Sequence, residues 1–347
     1  MELAEVRLTV EELMQGKEII VRYLEDAEAA ERNFEDALAH FGASGEQLEV
    51  KNLFESASRK AKTQHERLEV RLRALGGSPS QAKSLLAHLL AFTPTVAQIG
   101  HEGAEKNTQH LIVVVAAAAA EMAMYESLAC AAAVAADDAT EQLARQLQTE
   151  EREDYELSWK LLGPSATASF QTVLNRHTDE PAVDVIQKYL EDAIAAEKSF
   201  EVQLNDFASE AATPAVEAIF KQHAVETRGQ YERLTRRLEQ LGGSTSTVKS
   251  LLAHLFGISP KTAQLGHDKE ERTTQNMMMA FAVENSELAL YEALACTAEA
   301  AGDTVTSLLA REIQQEEKAM ADRVWKLLPG VATEAFRTVA ADLAHSK

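Results

Sequence analysis

Apolar residues recur along this chain at spacings of three and four, the period of one helix face, and each half of the sequence reads as helices only. In the second half the pattern predicts helices near 182–207 and 214–241, a shorter one near 246–256, and another opened by the Ser259-Pro260 cap. A long helix ending at about 301, one near 303–328 and a short final piece complete it. The turn after Phe207 is short, the turn at Ala301, Gly302 and Asp303 is very short, and a long excursion runs from Gly242 to about Thr274.

The same pattern occurs twice. Lys83–Leu89 (Lys-Ser-Leu-Leu-Ala-His-Leu) returns as Lys249–Leu255, an offset of 249 − 83 = 166. That offset also carries Tyr23–Ala27 onto Tyr189–Ala193, Leu75–Ser78 onto Leu241–Ser244, Tyr125-Glu126 onto Tyr291-Glu292, and Trp159–Leu162 onto Trp325–Leu328, with no gap between about 20 and 340. Unequal loops would break the register, so the chain is a tandem duplication whose halves share one fold. The first half is placed at 17–175 and the second at 182–347, joined near Arg176–Ala182, where Pro181 can open a helix. Residues 1–16 have no counterpart and read as an extra helix for packing or oligomer contact. Two antiparallel helix pairs joined by one long crossover is ferritin-like connectivity. The expected fold is therefore all-α, two tandem ferritin-like four-helix bundles with a long helical crossover in each. Such halves can pair as two subunits would, giving an intramolecular pseudo-dimer, with a homodimer of whole chains as a further option.

Composition narrows the function. The 347 residues suit two domains, and 46% hydrophobic content with only 5% aromatics, 15 Gly and 7 Pro fits an Ala- and Leu-rich helical protein. Acidic residues outnumber basic ones 55 to 34, a formal charge of −21, which repels phosphate backbones and anionic lipid and argues against nucleic-acid or membrane partners. Cations are the better partners. Cys130 and Cys296 alone make neither a disulfide scaffold nor a zinc ribbon and suggest a reducing interior. The first residues carry no basic start followed by an apolar run, and the longest apolar stretch, Leu111–Ala120, is short for a bilayer, so a cytoplasmic protein is expected.

Carboxylates interrupt the apolar stripes. In the second half the stripes read Ile186, Leu190, Ala193, Glu197, Phe200, Leu204; Ile219, His223, Glu226, Gln230, Leu234; Met277, Phe281, Glu284, Glu287, Tyr291; and Leu309, Ile313, Glu316, Met320, Val324. A lone Glu on such a stripe usually reaches water or an Arg at the edge of the face. Acids aimed inward from all four helices are harder to explain without cations, because an unpaired buried carboxylate costs several kcal/mol. Glu197, His223, Glu226, Glu284, Glu287 and Glu316 are thus candidate ligands of two divalent metals, and one nitrogen among oxygens suits iron or manganese. Gln230 and Tyr291 are candidates to orient those ligands, although Tyr291 can equally be a packed tyrosine and His223 a capping residue.

In the first half Glu31, Glu121 and Glu150 remain, while His223, Glu226 and Glu284 are matched by Ala57, Lys60 and Ala118. Lys60 falls among the surviving acids and could replace part of a metal's charge, so this site is expected to be degenerate, empty or holding one weak metal. Glu28, matched by Ile194, is a spare acid nearby.

Other repeated features are less specific. His101 and His267 could line an access path or bond to a helix end; His88, His254 and Met277–Met279 read as packing residues, and Cys130 and Cys296 as small buried ones. No nucleophile elbow, phosphate loop or dinucleotide fingerprint is present.

The run Tyr189-Leu-Glu-Asp192 leading to Ala196-Glu197, His223-x-x-Glu226-Thr227 leading to Gln230 and Arg233-Leu234, Val283-Glu284-x-x-Glu287 followed by Tyr291, and Glu316-Glu317-Lys318 resemble the motifs of the YciE/YciF family of ferritin-like bacterial stress proteins. The match covers most of 183–330 and, more weakly, 17–163. It implies a rubrerythrin-like bundle with a dimetal site, a tendency to dimerise and induction under stress. Placing His before Glu on the second helix, and Ala319 where a Glu-x-x-His pair would need histidine, departs from rubrerythrin and ferritin. Three functions follow as expectations: a dimetal oxidoreductase acting on peroxide or dioxygen, which is favoured; a non-catalytic iron-handling protein; and an interaction protein with vestigial sites.

Overall fold

The computed structural model describes residues 10–79, 103–176, 181–244 and 268–345. Among them the chain forms eight α-helices and no strand: α1 (Val10–Ser44), α2 (Leu48–Ala74), α3 (Lys106–Val134, after a 3-10 turn at Gly103–Glu105), α4 (Asp138–Arg176), α5 (Ala182–Glu210), α6 (Pro214–Gln240), α7 (Lys269–Ala300) and α8 (Thr304–His345). Successive helices pack as pairs, α1 with α2, α3 with α4, α5 with α6 and α7 with α8. The fold is all-α, two tandem helical bundles. The expected helices at 246–256 and after Ser259-Pro260, and with them His88, His101, His254 and His267, lie outside the described residues.

Local chemistry sets the helix ends. Thr213 accepts a hydrogen bond from the Val216 amide at 3.4 Å and Pro214 occupies the first turn of α6. Asp268 and Glu271 form a reciprocal capping box on α7. At the α7–α8 turn Gly302 takes a φ of +76°, and the Asp303 amide bonds back to Ala298 O at 2.8 Å, closing α7. Asp303 then caps α8 by accepting from the Thr306 amide at 3.0 Å, and Arg237 donates to both its oxygens at 2.7 and 2.8 Å. Arg71, Asp137 and Thr140 repeat this arrangement between α3 and α4.

Two sequence expectations are corrected. Residues 10–16 are not a separate helix but the first turns of α1. α8 does not stop at 328: it runs through Pro329 to His345, as α4 runs through Pro164. A proline inside a helix removes one backbone donor. The tail beyond it is held by burial, because Phe336, Val339 and Ala340 share a hydrophobic cluster with Ile19, Ile20 and Leu24 of α1.

The halves meet through α3 and α7, which pack on each other while α4 packs on α7 and α8 on α3. Both central helices are therefore buried nearly all round, which is why neither shows a clean polar face. By length and hydropathy Gly103–Val134 could cross a bilayer, beyond what the Leu111–Ala120 run suggested, but its apolar window is buried against the other helices. Met277 and Met279 are core residues; Cys130 is buried, Cys296 half-buried, and both are free thiols.

Candidate metal centre

Each helix of the second half contributes through the face its neighbours bury. On α5 Glu197 lies between Ala193 and Phe200; on α6 His223, Thr227 and Gln230 face inward between Phe220 and Leu234. α7 is buried on both sides of its inner face, so Glu284 and Glu287 both point inward, and on α8 Glu317 lies between Ile313 and Met320. Glu197 and Glu284 are 0% exposed, and His223, Glu287 and Glu317 1%. Their ligand atoms fall into two groups, His223 with Glu284 and Glu317, and Glu197 with Glu287 and Glu317, each within a span of 4.8 Å. Glu317 belongs to both. His223 Nδ1 stands 3.0 Å from Glu284 Oε1 and Nε2 3.8 Å from Glu317 Oε2.

Two expected ligands are not in this cluster. Glu316 faces outward, where Arg233 Nη1 donates to its Oε1 at 2.9 Å. The inward stripe of α8 is Thr306, Ala310, Ile313, Glu317, Met320, Val324 and Leu328, and the reading through Leu309, Glu316 and Leu327 was rotated by about one residue, roughly 100°. Glu226 is also on the rim, accepting from Gln222 Nε2 at 2.8 Å and Arg323 Nη2 at 2.9 Å, because Thr227 takes the inward position. Counting Ala310 and Ala321 as core residues would have selected Glu317; the larger side chains drew the stripe to the wrong side. Glu197, His223, Glu284 and Glu287 are brought together as expected.

Gln230 and Tyr291 orient the carboxylates. The Tyr291 hydroxyl donates to Glu197 Oε1 and Gln230 Nε2 to Glu317 Oε1, leaving Oε2 of each free. Both oxygens of Glu284 and Glu287 and both ring nitrogens of His223 also make no hydrogen bond, the approach of His223 Nδ1 to Glu284 Oε1 being a close contact only. Burial first, then repulsion from neighbouring acids, holds Glu197, Glu284 and Glu287 well above the usual carboxylate range. Such orphaned acceptors cost several kcal/mol each unless cations or protons reach them. Four carboxylates and an imidazole fit two divalent metals, whose four positive charges would balance the four negative ones.

In the first half the cluster is Glu31, Glu121 and Glu151, again within 4.8 Å. Glu150 is the outward neighbour, held by Arg67 Nη1 at 2.7 and 2.9 Å, so the one-residue rotation recurs in α4. Lys60 makes no ion pair with the cluster: its Nζ donates to Asp154 Oδ1 at 2.6 Å, and its positive charge offsets only part of the effect of burial on Glu151. Glu28 pairs with Arg32 at 3.1 Å and stays outside the group. Burial and neighbouring charge raise Glu31 and Glu121 well above their ordinary value, and Glu151 is pushed up to about 7, mainly by burial and then by Asp154.

Comparison with known families gives one result that bears on this geometry. A family model described as "Domain of unknown function (DUF892)" matches residues 15–164 and again 182–337, so each match brackets one carboxylate cluster. No solved structure matches the chain.

Proposed function

The chain belongs to the DUF892 family, once with each half, and from that premise we propose that it is a ferritin-like dimetal carboxylate protein whose second half holds two iron or manganese ions. The observation that carries this reading is the position of Glu317, whose carboxylate is shared by the His223–Glu284 and Glu197–Glu287 groups as a bridging ligand would be. Bound there, the metal pair would supply electrons for reducing peroxide or dioxygen. The protein's part is to exclude water, as the near-complete burial of every ligand implies, and to hold the carboxylates in place through Tyr291 and Gln230. The motifs shared with the YciE/YciF stress proteins support a role in stress response, and two unpaired cysteines suit a reducing cytoplasm.

Anaerobic titration with Fe(II), followed by peroxide in the presence of excess ascorbate to re-reduce the oxidised metal, tests the proposal. Two ions bound by the second half and repeated turnover are expected. Stoichiometric oxidation without turnover would reduce the function to iron handling, and failure to bind Fe(II) or Mn(II) would overturn it.

A further inference from the structure

Resting on the dimetal reading of the second half, we propose that the first half keeps one of the two metal positions and binds a single hard divalent cation of the manganese class on Glu31, Glu121 and Glu151. The offset of 166 maps Glu197, Glu287 and Glu317 onto these three residues, so one donor group survives whole. The other has lost both donors it did not share, since His223 and Glu284 become Ala57 and Ala118, both buried and neither able to hold a cation. Loss of the ligands is thus confined to one position.

The supports of the retained position survive with it. Tyr125 donates to Glu31 Oε1 as Tyr291 does to Glu197, and Gln64 Nε2 donates to Glu151 Oε1 at 2.5 Å as Gln230 does to Glu317. What remains is Oε2 of Glu31, Oε2 of Glu151 and both oxygens of Glu121, all buried and without a partner. Glu31 is 0% exposed, and Glu121 and Glu151 1%. Among the described residues no Lys, Arg or His lies within ion-pair distance of the three, Lys60 being engaged by Asp154. Three inward carboxylates, two of them oriented by hydrogen bonds and the third with both oxygens free, form a prepared cation site. With His223 absent the donors are all oxygen, which favours a hard ion over a nitrogen-preferring one.

The test counts ions in the full chain. Metal-free protein is dialysed against Mn2+ and assayed by mass spectrometry for bound metal, beside Glu121→Gln, which keeps the side-chain size. The wild type is expected to hold three ions and Glu121→Gln two. Two ions in both proteins would overturn this inference and leave the dimetal reading standing. One ion in the wild type and none in the variant would place the only metal in the first half and overturn the dimetal reading instead; no ion in either would overturn both. Should the variant fail to fold, electron paramagnetic resonance of the wild type decides: an isolated mononuclear Mn2+ signal beside a spin-coupled pair is expected, and a coupled pair alone would refute the first-half site.

Discussion

Adjacent glutamates on α8 do opposite things. Glu317 is buried at the junction of two donor groups, while Glu316 reaches out to Arg233 and Glu312 shares that arginine at 3.0 Å. Replacing Glu317 by Ala is expected to remove both metals of the second half, as shown by metal analysis. Glu316→Ala should leave them bound and cost less than about 1 kcal/mol in a urea titration, the worth of a surface ion pair. Of the second-half cluster, Glu197, His223, Glu284 and Glu287 were legible because the apolar stripes of α5, α6 and α7 run through them. Glu317 was not, because the adjacent Glu316 and Glu317 fall beside the same large residues, Ile313, Met320 and Val324, and only the small Ala310 and Ala321 decide which of the two faces inward.

At the scale of the helix and its turns, the Asp303 clamp ties three elements, closing α7, capping α8 and anchoring Arg237 of α6. Burial acts to raise its carboxyl, but hydrogen bonds from Arg237 and Thr306 outweigh it and hold the group below its ordinary value. Asp303→Ala is expected to destabilise the protein by about 1–3 kcal/mol, the combined loss of a helix cap and a charged hydrogen bond, measurable as a lower urea midpoint. Helix starts such as Thr213-Pro214 and the turn at Gly302 were readable from local chemistry alone. The continuation of α4 and α8 through proline was not, since it depends on distant partners such as Ile19 and Leu24 that no local pattern reveals.

For the whole molecule, two sets of acids oppose each other with pH. Glu31, Glu121, Glu197, Glu284 and Glu287 are raised, chiefly by burial, and Glu151 stands at about 7, so the folded metal-free protein binds more protons than the unfolded chain above the ordinary carboxylate value of 4.5. Their contribution is complete below that value and is lost as pH rises through the raised ones. Differential scanning calorimetry of metal-free protein should therefore show Tm falling as pH rises above about 5 and through about 7, where Glu151 titrates, with added Mn2+ restoring it more as pH rises because the metal competes with protons for the same oxygens. Asp137, Asp303, Glu126 and Glu292, held low by arginine and other hydrogen-bond donors against the effect of burial, contribute stability that is lost only below the ordinary carboxylate range.

The same scale governs how the halves depend on each other. α3 and α7 cover one another's apolar surface, so either half produced alone is expected to self-associate or aggregate in size-exclusion chromatography rather than run as a monomer. That the chain was duplicated could be read from a gapless offset. That the copies bury each other's longest apolar helix could not, because continuous hydrophobicity in α3 looks the same whether a neighbour or another solvent covers it.

Covalent fusion of the copies has a genetic consequence. In an assembly of identical subunits every substitution is read out everywhere at once, so losing a histidine would strip all pockets together. Joined end to end, the copies mutate separately, and the alanines at 57 and 118 could arise on one side while their counterparts at 223 and 284 were left untouched. The linker near Pro181 thus turns a symmetric pair into an arrangement in which each partner is free to change without the other.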